Sequence, residues 1–438
     1  MRRWIRVTVF AASVRLLLLV SVLSFSGWFK NYDTSAELNV HNDCHSGSIV
    51  ESTKLSGDGW ERFLENVVVW DSVYFVRIAR CGYEFEQTHA FFPGFPWLVR
   101  TFGEFLRRCL SRRLDVQAAY SLSGLIISNL AYVVSIVLFD DLSSRVLNNE
   151  LLSAVATVFY SVPPSSVFLS AAYTEGPFCM FTMAALWLIF AKNSTWTASL
   201  IIAASCAVRS NGILHIGFLG HFALSKCVQL WPRSKPRALG ALLELMVPGI
   251  VAATPLIVFQ YQGYARFCED PHQSVGDGAV SGIAQIRPWC QKGIPYLYGF
   301  VQDHYWNVGF LRYFEAKQIP NFLIAAPTLS LSVIGCYAYI SRDWLRTRSL
   351  GLVPGGKSSS GFHNDKVAPF IYQWAFMALY AFLVMYVQVV TRFLSACPPF
   401  YWYVAHLWMK KRWKMLWLWF IAFAGLGSLM FPNFYPWT

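Results

Sequence analysis

Long apolar segments recur along this 438-residue chain and constrain its fold more than any other feature. A helix needs about 20 apolar residues to cross a bilayer, and about ten segments approach that length. Charged residues make up only 14% of the sequence, against roughly 25% in a soluble domain. We therefore predict an all-α polytopic membrane protein, with residues 1–438 forming one multi-spanning domain of about 10 transmembrane helices. After the N-terminal segment, the predicted spans lie near 117–139, 151–172, 176–191, 197–224, 239–260, 320–341, 367–389, 391–408 and 415–431.

The formal net charge of +12 would suggest a nucleic-acid partner in a soluble protein. Here the Lys and Arg residues cluster between apolar segments, where the cytoplasmic loops of membrane proteins carry them. We therefore predict no nucleic-acid partner. The basic residues Arg2, Arg3 and Arg6 place the N-terminus in the cytosol. The apolar run that follows contains Arg15 and indicates a retained signal anchor rather than a cleaved signal peptide.

The basic stretches at 226–237, 342–366 and 410–414 indicate which side of the membrane each loop occupies. All three are cytosolic if the segment 197–224 enters and leaves the membrane on the same side. Residues 209–212, with the sequence RSNG, interrupt that segment. Because non-helical backbone at membrane depth is tolerated where it lines a cavity, we predict that RSNG faces a cavity from the lumenal side.

This topology leaves two large loops in the lumen and one basic loop in the cytosol. Residues 29–116 form the first lumenal loop, which we predict to contain an amphipathic helix, and residues 261–319 form the second. The basic loop at 342–366 is cytosolic. Cys268 and Cys290 share the second lumenal loop, and an oxidising compartment would allow a disulfide between them. The remaining cysteines are too sparse for a disulfide scaffold and lack metal-ligand spacing.

Trp70 and Asp71 form the first candidate site. On a helical interpretation Asp71 belongs to an apolar stripe, which puts a carboxylate on the buried face of a helix lying along the membrane. A carboxylate in a partly desolvated cavity can act as a general base. The alternative is that Asp71 caps a helix beginning at Ser72. The proposed stripe comprises Trp60, Leu64, Val67, Asp71, Phe75 and Ile78.

Three further acidic or imidazole side chains are candidate ligand-binding residues. Glu86 and His89 precede the segment FFPGFP, whose prolines and glycine indicate a turn. They could bind a polar ligand, unless they belong to a solvated loop. Glu175 follows Pro163-Pro164 at a predicted lumenal turn. It could bind substrate or favour the start of the next helix, since acidic residues stabilise helix N-termini.

Two arginines at predicted membrane depth suggest phosphate binding. An Arg inside a membrane segment is costly and usually functional, which makes Arg209, with its neighbour Asn211, a candidate. Arg392 lies at a predicted lumenal boundary and suits the same role. The alternatives are snorkelling at the interface for Arg209 and a simple interfacial position for Arg392.

His304, Trp306 and Asn307 lie in the mixed aromatic and polar stretch HYWNVGFLRYF. Such a composition is typical of sugar-binding surfaces, and equally of the aromatic belt at a membrane interface. The chain contains no Walker, Rossmann, HExxH or GxSxG motif in a supporting context. A nucleotide-sugar donor therefore has no visible binding site.

These blocks together resemble the GPI mannosyltransferase 2 family in their order and in their placement between spans. The resemblance implies the C-type membrane glycosyltransferase fold, in the endoplasmic reticulum membrane with a lumenal active site. It also implies an α1,6-mannosyltransferase that moves the second mannose from dolichyl-phosphate mannose to the Man-GlcN-phosphatidylinositol GPI precursor lipid. The matching blocks are WDSVYFVRIARCGYEFE, AFFPGFP, PPSSVFLSAAYTEGPF, AVRSNG, HYWNVGFLRYFEAKQIPNF and VQVVTRFLSACPPFYWY.

Such enzymes carry an acidic residue in the first lumenal loop, and in this sequence the match is Asp71. An α product from a β-linked phosphate donor requires inversion in a single displacement, so we assign the base to Asp71. Arg209 and Arg392 are candidates to stabilise the leaving phosphate. The scheme requires neither metal nor cofactor. His304, Asn307, Glu86 and Glu175 are candidates for holding the sugar or the acceptor.

Three other interpretations remain open. The chain could be another dolichyl-phosphate-sugar-dependent transferase with a different acceptor or linkage. It could be a polytopic lipid transporter or flippase, because broken spans and intramembrane arginines also occur in transporters. It could be a non-catalytic subunit of a glycosylation complex. The sequence also leaves open a small accessory membrane subunit.

Overall fold

The computed structural model describes residues 2–25, 28–29, 44, 64, 68–110, 114–269, 287–352, 360–411, 415–433, 435 and 437. Within these residues the chain is helical or irregular and contains no strand, which confirms the predicted all-α class. Several helices are long and apolar enough to cross a membrane, and shorter apolar helices lie between them. The total of about ten spans stays a prediction. Within the described part of the chain the six long candidates are Arg3–Phe25, Val116–Leu147, Ser210–Leu230, Lys235–Glu269, Ala316–Ile340 and Met415–Asn433.

The helices of the first half range in length from 11 to 32 residues. In chain order they are α1 (Arg2–Phe25), α2 (Asp71–Cys81), α3 (Gly94–Cys109), α4 (Val116–Leu147), α5 (Glu150–Ser161), α6 (Glu175–Lys192), α7 (Thr195–Val208) and α8 (Ile216–Leu230).

The helices of the second half pack against those of the first half and complete the helical bundle. In chain order they are α9 (Lys235–Leu243), α10 (Met246–Tyr264), α11 (Leu297–His304), α12 (Ile319–Ile340), α13 (Trp344–Arg348), α14 (Ala368–Leu383), α15 (Val390–Phe393), α16 (Pro398–Met409) and α17 (Met415–Met430).

Helix α1 packs against α4 and α17 through its polar as well as its apolar side chains. The guanidinium of Arg15 is buried, contacts the hydroxyl of Ser170 and lies 5.1 Å from the ring centre of Tyr132. Near the other end of α1, Arg3 Nε lies 2.8 Å from Asp140 Oδ2. The end predicted near 139 for the span that begins at 117 is wrong, because α4 continues to Leu147 with Asp140 buried.

The span predicted at 151–172 is also wrong. Helix α5 ends at Ser161, just before Pro163-Pro164, which cannot continue a helix without losing hydrogen bonds. Residues 162–174 are instead irregular and buried. Side chains of α4 satisfy their carbonyl groups; for example, Asn129 Nδ2 donates to the Ser170 carbonyl at 2.8 Å. Irregular backbone is tolerated at membrane depth when protein groups satisfy it in this way.

The segment 197–224 is broken where RSNG interrupts it, as predicted. Helix α7 ends at Val208, Arg209 is extended, and a 3₁₀ turn spans Ser210–His215 before α8. Gly212 permits the chain to fold back, because a Cβ there would lie 2.6 Å from the Cys206 nitrogen. Gly94 permits the FFPGFP turn to pack against the same bend, since its Cβ would lie 2.7 Å from the Ala207 carbonyl oxygen.

Two disulfides tie the large loops. Cys268 and Cys290, whose pairing the sequence left open, form one of them. The bond between Cys44 and Cys81 was not predicted, since the two residues are 37 positions apart and share no motif. Each of the two large loops therefore carries one bridge.

Candidate active site

A cavity of about 610 Å³ lies where the two loops predicted to be lumenal, the bend after α7 and α14–α15 meet. Its lining is polar where the two loops approach the bend and apolar where α10 and α14 contribute. Polar or charged lining residues include Asp71, Thr174, Arg209, Ser210, Asn211, Gln302 and Arg392. Apolar and aromatic ones include Phe75, Phe91, Leu256, Tyr298, Trp306, Phe376, Tyr380 and Tyr386.

Asp71 is the first residue of α2 rather than part of a longer helix. Trp70 has φ 56°, in the left-handed region, so the chain changes direction immediately before Asp71. The helical stripe therefore does not continue from Asp71 through residues 68–70, and its members Trp60 and Val67 lie outside the described residues. The Asp71 N–H donates to Tyr173 Oη at 2.9 Å. The carboxylate does not cap α2; it lines the cavity with 32% of the side chain exposed.

Asp71, Arg392, Glu175 and Arg209 form an ion-pair chain of alternating sign. Arg392 Nη2 lies 2.9 Å from Asp71 Oδ2, and its Nε lies 2.8 Å from Glu175 Oε1. Arg209 Nη1 lies 2.7 Å from the same Glu175 oxygen. The two carboxylates and two guanidiniums balance, which offsets much of the cost of removing these charges from water.

Aromatic rings support the middle of the ion-pair chain. The Arg392 guanidinium carbon lies 4.4 Å from the ring centre of Phe168 and 5.2 Å from that of Tyr173. Both rings come from the buried irregular segment 162–174. A guanidinium over an aromatic face is stabilised electrostatically, so this segment fixes Arg392 next to Asp71.

The structure brings five of the predicted site residues to the cavity wall: Asp71, Arg209, Asn211, Trp306 and Arg392. The Trp306 ring lies edge-on to Tyr74 and Phe91, with centroids 5.9 and 6.0 Å away. Glu175 lies behind the wall, almost fully buried. Trp70 packs partly buried against the core and does not line the cavity.

Glu86 and His89 are not brought to the cavity. Glu86 is buried; its Oε1 accepts from Trp289 Nε1 at 2.7 Å and lies 3.0 Å from Arg287 Nε, while its Oε2 accepts from Tyr305 at 2.9 Å. Through these bonds Glu86 ties the first lumenal loop to the second. The His89 ring stacks on Phe259, and burial lowers the pKa of His89 to about 4. It is therefore neutral near pH 7.

This arrangement predicts a structural effect for Glu86→Gln. The amide keeps one acceptor but loses the charge that Arg287 faces, so we expect the free energy of unfolding to fall by about 1–3 kcal/mol. Thermal unfolding of the purified protein measures this. The control is Glu315→Gln, since Glu315 is 45% exposed and its pair with Lys317 contributes little. An unchanged melting temperature together with weaker substrate binding would contradict the structural role.

His304 and Asn307 also lie outside the cavity wall, although Trp306 and Val308 beside them are part of it. His304 is exposed and stacks on Phe300 with a centroid distance of 5.0 Å. Asn307 is exposed and has φ 47°, which fits a turn residue after α11.

Sequence reasoning missed several residues of the wall. Thr174 Oγ1 accepts from Arg209 Nη1 at 3.0 Å, and Tyr298 shares a 2.9 Å hydrogen bond with Ser210. Thr174 lies in the same predicted turn as Glu175, but it was given no role of its own. Tyr298 and Tyr380 carry no local pattern, because only the packing of distant helices brings them together.

Comparison with known proteins shows similarity along nearly the whole chain. Residues 4–438 match the family described as Mannosyltransferase (PIG-V). GPI alpha-1,6-mannosyltransferase 2 of Homo sapiens is 31% identical, over 86% of this chain and 89% of its own length. The protein of that name from Mus musculus is 34% identical over 79% and 74%. GPI mannosyltransferase 2 of Drosophila pseudoobscura pseudoobscura is 32% identical over 84% and 86%.

Proposed function

The chain belongs to the PIG-V mannosyltransferase family, and from this premise we propose how and where it acts. It is a glycosyltransferase of GPI-anchor biosynthesis, of the GPI mannosyltransferase 2 type. In our proposal the donor is dolichyl-phosphate mannose, and the acceptor is the Man-GlcN-phosphatidylinositol precursor. The product carries the second mannose in α1,6 linkage. The bundle is proposed to be a C-type glycosyltransferase fold.

The observation that carries this proposal is the position of Asp71 next to Arg392, on a cavity wall that also includes Arg209. Asp71 acts as the general base and accepts the proton of the acceptor hydroxyl. The hydroxyl oxygen forms a bond to C1 of mannose on the face opposite the phosphate. The bond between C1 and the phosphate oxygen breaks, and its electron pair leaves with dolichyl phosphate. One such displacement converts a β-linked donor into an α-linked product.

The leaving phosphate requires charge stabilisation more than a proton. Arg209 and Arg392 both line the cavity, and a guanidinium carries five N–H donors, more than the contacts to Glu175, Thr174 and Asp71 occupy. The remaining donors can bind phosphate oxygens. Preorganised donors aimed at developing negative charge are often the largest single contribution to catalysis.

The apolar part of the cavity suits lipid substrates. Phe376 and Tyr380 of α14 line it and are 50% and 41% exposed. A membrane-facing surface of this kind lies in hydrocarbon rather than water. Donor and acceptor are both lipids, so each can reach the polar residues by lateral movement through the bilayer.

We place the cavity on the lumenal side of the endoplasmic reticulum membrane. Residues of both predicted lumenal loops line it, and each loop carries a disulfide. The lumen is an oxidising compartment, whereas the cytosol keeps thiols reduced. The same topology leaves the basic loop 342–366 in the cytosol.

The proposal is tested by expressing the chain in cells that lack the second GPI mannosyltransferase. We expect GPI-anchored proteins to return to the cell surface and the one-mannose lipid intermediate to disappear. The control is the same cell line with an empty vector. A well-expressed chain that restores neither would favour another acceptor, a missing accessory subunit or the lipid-transporter interpretation.

A further inference from the structure

Glu175 is the most deeply buried member of the ion-pair chain, with 1% of its side chain exposed. It does not line the cavity. One carboxylate oxygen, Oε1, contacts both Arg209 and Arg392 at 2.7 and 2.8 Å. The two donating nitrogens therefore lie no farther apart than the sum of these distances. A single atom sets the spacing between the two cationic side chains of the wall.

Two guanidiniums this close repel each other unless an anion lies between them. Glu175 supplies that anion, and together the three side chains carry one net positive charge. With Asp71 included the charges sum to zero, and they reach one net positive charge when Asp71 accepts the acceptor proton, at the stage where negative charge develops on the leaving phosphate. Because Glu175 approaches from inside the protein, the N–H groups that it does not use remain available to the cavity.

The backbone of Glu175 is held firmly enough to act as a reference point. Glu175 is the first residue of α6, where the helix dipole stabilises a carboxylate. Its neighbour Gly176 packs against the carbonyl oxygen of Ser128 on α4, leaving no room for a Cβ. Thr174, on the other side, accepts a hydrogen bond from Arg209. The carboxylate is thus fixed from both sides along the chain.

We propose that Glu175 is a positioning residue for the donor phosphate. It touches no substrate, and it sets the spacing and direction of Arg209 and Arg392 so that both bind the same phosphate. This inference rests on the proposed function and replaces the interpretation of Glu175 as a residue that holds sugar or acceptor. Asp71 lies at one end of the ion-pair chain and serves the acceptor. We do not expect acceptor binding to depend on Glu175.

The test compares wild type, Glu175→Gln and Glu175→Asp in a transfer assay with dolichyl-phosphate mannose and the one-mannose GPI precursor. In Glu175→Gln we expect the KM for the donor to rise roughly tenfold or more, the effect of losing one charge-assisted hydrogen bond. We expect kcat to fall and the KM for the acceptor to stay within about twofold. Dolichyl phosphate should lose potency as a competitive inhibitor in parallel. Glu175→Asp keeps the charge and is expected to restore part of the donor affinity.

The matched control is Glu84→Gln. Glu84 is a carboxylate of similar burial, with 3% of its side chain exposed, and it pairs with Arg77 at 2.7 Å away from the cavity wall. Glu84→Gln is expected to lower the melting temperature but to leave both KM values unchanged for the folded protein. The inference is overturned if folded Glu175→Gln keeps the wild-type KM for the donor. It is also overturned if Glu175→Gln and Glu84→Gln raise the KM for donor and acceptor to the same extent. Failure of the wild type to transfer mannose would instead reject the proposed function.

Discussion

Replacing Asp71 by asparagine is expected to reduce mannose transfer by about a hundredfold to ten-thousandfold, the usual contribution of a general base. Asparagine has nearly the same shape but cannot accept a proton from the acceptor hydroxyl. It can still accept a hydrogen bond from Arg392, which also keeps its contact with Glu175. The measurement is the initial rate in membranes at matched protein level, together with the lipid intermediates in complemented cells, which should stall at one mannose.

The control for this substitution is Asp115→Asn. Asp115 caps α4 by accepting from the Gln117 N–H at 2.8 Å and does not line the cavity. We expect it to retain wild-type transfer. Equal rescue by wild type and Asp71→Asn would remove Asp71 from the chemistry. A loss of folded protein in Asp71→Asn would mean that the main role of the ion pair with Arg392 is to stabilise the fold.

The second large effect is expected for Arg392→Met. Methionine keeps much of the side-chain length but removes the guanidinium that contacts Asp71 and Glu175. Loss of one donor to a developing oxyanion costs about a hundredfold to a thousandfold in kcat, and removing one partner of a buried pair costs about 3–5 kcal/mol in stability. We therefore expect both slower transfer and a lower melting temperature, measured on the purified protein.

Arg392→Lys separates charge from geometry. A lysine keeps the positive charge but cannot present two N–H groups in the fixed fork that reaches both carboxylates. We expect its transfer rate to fall between those of wild type and Arg392→Met. Arg145→Met is the control, because Arg145 is half exposed and pairs only with Asp141 of the same helix among the described residues. Wild-type transfer by folded Arg392→Met would contradict a role for Arg392 in phosphate binding.

The features that could be predicted from the sequence are those in which a single residue has a high free-energy cost in its local apolar segment. An arginine in the RSNG break and an aspartate in an apolar stripe are expensive at membrane depth, which is why Arg209 and Asp71 stood out. The break itself was predictable from the positions of the basic loops. The all-α class followed from the length of the apolar segments.

The features that could not be predicted depend on contacts between distant parts of the chain. Asp71 and Arg392 are 321 residues apart, and no local pattern pairs them. Glu86 resembled a ligand-binding residue because its partners, Trp289 and Tyr305, belong to another loop. The apolar run 151–172 resembled a span, although the prolines end its helix early and side chains of α4 stabilise the irregular remainder.

The buried contact of Arg15 has a consequence for how the chain is made. Its partner Ser170 lies 155 residues later, so at about 5–20 residues per second the ribosome needs roughly 8–30 s to deliver it. During that interval an arginine in the first span faces a hydrocarbon environment that disfavours it. We therefore expect newly made α1 to remain beside the protein-conducting channel until residues 162–174 emerge, so that the first helix is inserted early and docked late.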